Sequence, residues 1–292
     1  MSGIATTTVP PALAPIDASY GVTQRRVAVS EWIKFRSLRS TWWSIGVALL
    51  ISIGLGIVFS ALRGHDIEHN GGFEVDQTAL SLRGFYLAQL AVGVLGVLSI
   101  TGEYSTGMIR ATLSAVPKRV PVWLAKIGVF AAAIFVVTLI AAFIAFFTGQ
   151  AVLSSYHSSG LFGATGFGLG QTHPLGVSLG HPGSVRAIFG AALYMVGVGL
   201  LGIGCGFAIR NTGGAIAALF GLILVLPLLA QALPSSLQVH VVKYLPLLAG
   251  TAGMNTATDG DQLGPWAGLG VFAIYVVVAL GIGLVVLRRR DA

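Results

Sequence analysis

The sequence predicts an all-α integral membrane protein: six transmembrane helices, an amphipathic amino-terminal interfacial helix, and a cytoplasmic helix between the second and third crossings. Three observations carry that prediction. Of 292 residues, 55% are hydrophobic and only 9% are charged, with a mean hydropathy of +0.86, far from the soluble average. Six apolar stretches reach the roughly 20 residues that a helix needs to cross hydrocarbon. A polar, patterned break at 102–119 separates the second stretch from the third.

The six stretches are 41–62, 80–100, 120–153, 184–209, 214–233 and 266–287. Each must satisfy its backbone N–H and C=O groups within itself, because lipid offers no partners. The third is long enough to tilt or to begin in the interface. None alternates apolar and polar residues as a barrel strand would. Residues 1–23, with Pro10, Pro11 and Pro15, lack a basic segment followed by an apolar one and read as a flexible cytoplasmic tail, not a signal peptide. Residues 24–292 then form a single transmembrane domain.

Charge sets the orientation. With a cytoplasmic amino terminus, the inner side holds Arg25, Arg26, Lys34, Arg36, Arg39, Arg110, Lys118, Arg119, Lys126, Arg210 and Arg288 to Arg290. The outer side holds only Arg63, Arg83, Arg186 and Lys243, so the 17 basic residues divide 13 to 4. Flanking Lys and Arg fix topology, which places both termini in the cytoplasm of a multi-pass cell-membrane protein. The net charge of +7 is therefore spent on topology and anionic headgroups, and nucleic acid is not expected as a partner. The single Cys205 excludes a disulfide within the chain.

Residues 24–40 read as an interfacial helix. Ala28, Trp32, Phe35 and Leu38 can meet acyl chains while Arg26, Ser30, Lys34 and Ser37 meet water. Glu31, Trp32, Lys34, Phe35, Arg36 and Arg39 are its anchoring residues, and Trp42 and Trp43 mark the boundary. The segment 63–79 reads as a solvated outer loop, its His65, Asp66, Glu68 and His69 lacking the spacing of a metal site. The Gly- and Ser-rich segment 154–183 reads as a flexible outer loop, and its Gly166, Gly168 and Gly170 follow no strand that would make them a nucleotide fingerprint. Arg210 to Gly213 give a tight turn that makes the flanking helices antiparallel neighbours. The hydrophobic segment 234–265 suggests short helices dipping toward the outer leaflet, with a loop packed on helix ends as the alternative.

No Asp, Glu or His lies between the ends of the six predicted crossings, and Lys126 sits near a cytoplasmic end where it can snorkel. Ion-coupled pumps and intramembrane hydrolases need such groups inside the bilayer. A secondary transporter, a catalytic site and a metal or cofactor site in this chain are therefore not expected. Gln89, Thr138, Gln150, Tyr194 and Gln231 are read as hydrogen-bonding to neighbouring helices.

The break at 102–119 has a helical pattern. At 100° per residue Glu103, Gly107, Arg110, Ser114 and Lys118 share one face, and Met108, Ile109, Thr112, Leu113 and Val116 share the other. A plain turn needs only a few residues, so an amphipathic stretch of this length suggests a membrane-surface helix that docks on a separate protein.

Gly102-Glu103-Tyr104-Ser105-Thr106-Gly107-Met108-Ile109-Arg110-Ala111-Thr112-Leu113, followed by Pro117-Lys118-Arg119 and Lys126, resembles the membrane subunit of ABC-2 type ABC transporters. Glu31, Lys34, Arg36 and Arg39 look like that family's amino-terminal interfacial segment, and Tyr244-Leu245-Pro246 with Ala249-Gly250 like its segment before the last helix. The resemblance spans 24–290. It implies a coupling helix at about 103–118 that fits a groove in a cytoplasmic ATPase, with Glu103, Gly107, Arg110, Leu113, Pro117, Lys118 and Arg119 as coupling residues. On that reading Glu103 sits where a helix dipole favours an anion, Gly107 permits close approach, and Pro117 ends the helix.

The chain has no Gly-x-x-x-x-Gly-Lys-Ser/Thr sequence, so ATP and Mg are expected in a partner ATPase. The resemblance also implies a second permease subunit, identical or different. The function expected is the permease of an ATP-driven exporter of an amphiphilic or apolar substrate such as a drug, peptide antibiotic or lipid. The alternative is a membrane scaffold or sensor that uses the same helix to regulate a cytoplasmic partner.

Overall fold

The structure is a computed structural model that describes residues 23–70, 76–109, 119–158, 173–256 and 262–290. Helix α1 (Gln24–Ser37) breaks at Leu38, which is extended at ψ 119°, and α2 (Arg39–Asn70) follows at once. After α3 (Gln77–Ser81) come α4 (Phe85–Ser105), α5 (Arg119–Leu153) and α6 (Ser184–Ile209). The fifth crossing is composite: α7 (Thr212–Phe220), a π-helical turn at Gly221–Val225, and α8 (Leu226–Ala230). Short helices α9 (Ser235–Val241) and α10 (Pro246–Thr251), with 3-10 turns at Val242–Tyr244 and Ala252–Met254, lead to α11 (Pro265–Arg290).

Six helical stretches among the described residues are long and apolar enough to cross a membrane, so the all-α, six-crossing prediction holds. The only strands among those residues are β1 (His157–Ser158) and β2 (His173–Pro174), an antiparallel pair two residues long.

Three boundaries differ from the prediction. Residues 63–70, read as loop, continue α2; His65 and His69, four apart, stack at 4.1 Å as one helical face requires. Among the described residues no group of His, Cys, Asp and Glu could hold a metal ion. The second crossing starts at Phe85 instead of residue 80. Asp76 caps α3, its Oδ1 accepting from the Ala79 N–H at 2.8 Å, and a turn at 82–84 brings Gly84 so close to the Ser52 carbonyl that any Cβ there would overlap it. That crossing also runs five residues further, to Ser105.

Helix α6 is the hub of the bundle, packed against α4, α5 and α11. Small residues allow this. A Cβ on Gly96 of α4 would overlap the Gly199 carbonyl of α6, and one on Gly202 would overlap the Gly93 carbonyl. In lipid, where apolar burial gives little drive for association, such close backbone approach is what dispersion and packing reward. Polar pairs add specificity between crossings. The Tyr194 hydroxyl donates to Gln89 Oε1, and Gln150 links α5 to the Gln77 carbonyl and the Ser81 hydroxyl at 2.8 and 2.9 Å. Thr138 departs from its expected role, since its hydroxyl donates back to Ile134 on its own helix at 2.7 Å.

The π turn has a local cause. Pro227 has no N–H, and its ring crowds the carbonyl four residues earlier, so the preceding turn widens. Residues 235–254 adopt the short helices that their hydrophobicity suggested, and α10 with the 3-10 turn after it packs against α6 and α11. The tight turn after α6 is also observed: Arg210 closes the helix at φ 59°, and Asn211 Oδ1 accepts from the Gly214 N–H at 2.9 Å to start α7.

Gly202→Val forces a side chain into the Gly93 backbone and is expected to cost about 1–3 kcal/mol or more. Gly270→Val, which meets nothing within 4 Å, serves as the control. Thermal midpoints of the two variants in detergent distinguish them, and equal midpoints would remove the close-packing role of Gly202.

Candidate functional site

At one end of the bundle four charged side chains from three helices meet. Lys126, seven residues into α5, is 7% exposed. Its Nζ donates to Glu31 Oε2 at 2.6 Å and to Glu103 Oε1 at 2.8 Å. Lys34 completes the cluster, donating to Glu31 Oε1 at 2.8 Å and to Glu103 Oε1 at 3.4 Å. Glu31 on α1 and Glu103 on α4 are 4% and 8% exposed, so the cluster of two cations and two anions is closed to water on most sides.

Buried ions survive only in pairs, since stripping water from a lone charge costs several kcal/mol. Glu31 shows the balance. Burial favours its neutral form, but the charge of Lys126, then hydrogen bonds from Lys126 and Lys34, overcome that and hold its pKa below the ordinary value. For Lys34 burial likewise opposes the charge, and Glu31 and Glu103 outweigh it, so its pKa is raised.

This geometry corrects three sequence expectations. Lys126 does not snorkel; it turns inward and bridges two helices. Lys34 does not sit on a water-facing side of α1, because Val27 and Glu31 form the buried face and Lys34 leans over it. Glu103 is not at the start of a separate helix but on the last turn of α4. There the dipole disfavours an anion by about 0.3–1 kcal/mol. Opposite charges at contact distance are worth about 4 kcal/mol at intermediate dielectric, so the lysines decide the matter.

Gly107 is explained by conformation. At φ 73° it is left-handed, a region that suits glycine, and its N–H reaches the Tyr104 carbonyl at 3.3 Å. A Cβ there would meet nothing within 4 Å among the described residues. Trp32 stacks on Phe35 at 6.2 Å, and Phe35 meets Phe130 of α5 edge-on at 6.0 Å. Arg36 supplies the carbonyl to which Trp42 Nε1 donates at 3.0 Å, and Arg39 is exposed at the start of α2. Arg110, Leu113, Pro117 and Lys118, with the rest of the segment expected to form the coupling helix, lie outside the described residues, as do the tail at 1–22 and the Gly-rich stretch at 159–172.

Arg119 does more than the sequence suggested. Its Nη1 donates to the Leu287 and Arg288 carbonyls at the end of α11, both at 3.0 Å. Arg210 Nη2 donates to the Val286 carbonyl at 3.1 Å, and its guanidinium lies 5.1 Å from the Tyr104 ring centroid. Arg119 thus caps carbonyls of the last turn of α11, where the helix itself supplies no donors, and Arg210 adds a donor one residue before it. Beside the ion cluster α1, α2, α4 and α5 leave a cleft of about 350 Å³, its wall formed by Phe35, Leu38, Leu98, Val129 and Phe130 and by a series of Ser and Thr hydroxyls.

Fold and cluster together define a polytopic α-helical membrane protein whose amino-terminal helix is clamped to the ends of its second and third crossings. Residues 29–170 match the family model described as ABC-2 family transporter protein. Over that span the chain is similar to the ABC-2 family, as the order of its motifs implied. The span includes all four members of the ion cluster. No curated protein matches the chain.

Lys126→Ala leaves two buried carboxylates facing one remaining lysine and is expected to destabilise the protein by about 3–5 kcal/mol. Adding Glu103→Gln should recover part of the loss, and denaturation of the single and double variants measures it. Because the Glu31 pKa is lowered on folding, its stabilisation is present above the ordinary value of 4.5 and fades as pH falls through the lowered one. The raised Lys34 acts oppositely, its stabilisation being lost as pH climbs above 10.5. The deficit of Glu31→Gln relative to the parent should therefore be full at neutral pH and shrink in acid; a deficit independent of pH would remove the ionic role.

Proposed function

We propose that this chain is the permease subunit of an ATP-driven exporter, working in the cell membrane with a cytoplasmic ABC ATPase and a second permease subunit, identical or different. The observation that carries the reading is the ion cluster. It fastens α1, the end of α4 and the start of α5 into one unit on both sides of the segment 103–119. A force applied to that segment reaches three helices together instead of bending one.

On this reading the ATPase partner binds ATP and Mg, and its closure shifts the helix pair α4–α5 between two arrangements. Glu103, Gly107, Arg110, Leu113, Pro117, Lys118 and Arg119 form the coupling segment. Among these Arg110 and Lys118 supply charge for the partner, while Glu103 and Arg119 hold the segment to the bundle. Helix α1 lies at the cytoplasmic interface, with Trp32, Trp42 and Trp43 exposed where headgroups would meet them. The substrate is amphiphilic or apolar, since the crossings carry few fixed charges above the cluster.

Two experiments test the reading. Arg110→Ala should weaken association with the partner ABC ATPase by about tenfold, read by co-purification, without moving the thermal midpoint. Undiminished association and transport would overturn the coupling role. In a Cys205→Ala background, cysteines placed at Val75 and Thr165 should label from outside, and those at Ser105 and Asn211 only after permeabilisation. The reverse pattern would overturn the orientation.

A further inference from the structure

The cleft beside the ion cluster is positive where it is open. Of the four charged side chains in its wall, only Lys34 keeps appreciable surface, 27% of its side chain against 10% or less for Glu31, Glu103 and Lys126. An incoming group therefore reaches Lys34, while the carboxylates stay buried against the lysines. Arg36 and Arg39, both exposed, stand next in sequence to the lining residues Ser37, Leu38 and Ser40. Glu31 and Glu103 are the only acids among the described residues at this end of the bundle. Four cations against two anions leave the mouth net positive, and such a site attracts an anion.

The cleft also holds donors without acceptors. Thr41 lines it and is only 2% exposed. Its N–H reaches the Leu38 carbonyl at 3.2 Å, but its hydroxyl has no partner among the described residues, and neither has the hydroxyl of Ser40 beside it. A buried hydroxyl is unfavourable until something accepts from it. Both residues stand on the first turn of the 32-residue α2, the positive end of its dipole. Two carbonyls at the end of α1, which would oppose an anion there, are already covered: that of Lys34 accepts from the Ser37 hydroxyl at 2.9 Å and that of Arg36 from the Trp42 indole at 3.0 Å.

The remaining walls and the level in the membrane narrow the occupant. One wall is apolar and includes Leu98, Val129 and Phe130. Trp42 and Trp43, which follow Thr41, are exposed, as tryptophans are at the boundary of headgroups and acyl chains. We infer that the cleft holds the phosphate of an anionic phospholipid, its oxygens facing Lys34 and the hydroxyls of Ser40 and Thr41, with the start of an acyl chain along Leu98 and Phe130. A zwitterionic head would bring an ammonium to a mouth that is already positive. A free phosphate would use the donors and leave the apolar wall uncovered. On the α4 side the hydroxyls of Ser99, Ser105 and Thr106 donate to the Gly96 and Gly102 carbonyls, so their oxygens remain to accept from the hydroxyls of a glycerol head. The cleft of about 350 Å³ is at the small end of the ~300–1,000 Å³ typical of small-molecule sites, enough for a headgroup and the first methylenes but not a whole lipid.

Gly102 and Thr41 provide two probes. Gly102 lines the cleft, and a Cβ there meets nothing within 4 Å, so Gly102→Leu fills the cleft while favouring the helix. Thr41→Val keeps the shape and removes only the hydroxyl. The full chain, reconstituted in nanodiscs of equal phosphatidylglycerol, phosphatidylethanolamine and phosphatidylcholine and then exchanged into detergent, is assayed by mass spectrometry for retained lipid. The parent should keep the glycerol lipid at least about tenfold over either zwitterionic one. Gly102→Leu should lose that retention with an unchanged or raised thermal midpoint, and Thr41→Val should reduce it by about threefold or more at an unchanged midpoint. Added to lipid-free protein, phosphatidylglycerol should raise the midpoint and inorganic phosphate should not.

Equal retention of all three lipids, retention undiminished in either variant, or no retained lipid in the parent would each overturn the inference. A midpoint raised as far by inorganic phosphate as by the lipid would overturn it too, in favour of a free anion. Should Gly102→Leu fail to fold, Thr41→Val decides. Neither ATP nor the ATPase enters the assay, so its outcome stands apart from that of the transport reading.

Discussion

The amine of Lys126 is the constraint on which this end of the protein depends. A lysine seven residues inside a 35-residue apolar helix has two ways to avoid an unpaired charge in a poor solvent: reach for water or find carboxylates. Here it finds two, from helices far apart in sequence. In doing so it fixes α1 against α5 and sets the end of α4 beside them. Neither carboxylate would be tolerated alone, and Glu103 least of all, because it faces the negative end of its own helix. Each unfavourable placement is made acceptable by the others, which makes the arrangement specific as well as stable.

The middle of the bundle is held differently. Glycines on α4 and α6 bring backbones together, and a few amide and hydroxyl pairs fix their register. A part held by dispersion over broad faces can slide slightly at small cost, whereas one held by a closed ring of charges moves as a body. The contrast suits the proposed permease role, in which motion would enter at the charged end and be expressed among the apolar helices above.

Much of the architecture was legible in the sequence because length and apolarity are local properties. The runs at 120–153, 184–209 and 266–287 are reproduced almost residue for residue, and the turn at Arg210 to Gly213 follows from its own residues. What escaped was non-local. Glu31, Lys34 and Glu103 stood out as separate features of two segments, and nothing in their spacing says that they share one site. Lys126 carried the missing signal: a lysine that far inside an apolar run needs an anion, and of the four acidic residues that the charge count puts on its side, Asp17, Glu31, Glu103 and Asp291, Glu31 and Glu103 were the two outside the terminal segments. The continuation of α2 through the polar residues 63–70 was hidden because charge was read as loop, although His65 and His69 already had helical spacing. The role of Arg119 required knowing where the last helix ends.

The arginine caps on α11 bear on how the protein is made. The chain leaves the ribosome in order, so Arg119 and Arg210 are in place long before the carbonyls of Val286, Leu287 and Arg288 exist. Arrival of the final helix gives them their acceptors, and only then are the third, fourth and sixth crossings tied together. A nascent protein truncated before this helix would expose to lipid the face of α6 on which Gly197 and Gly204 meet Phe272 and Ala279.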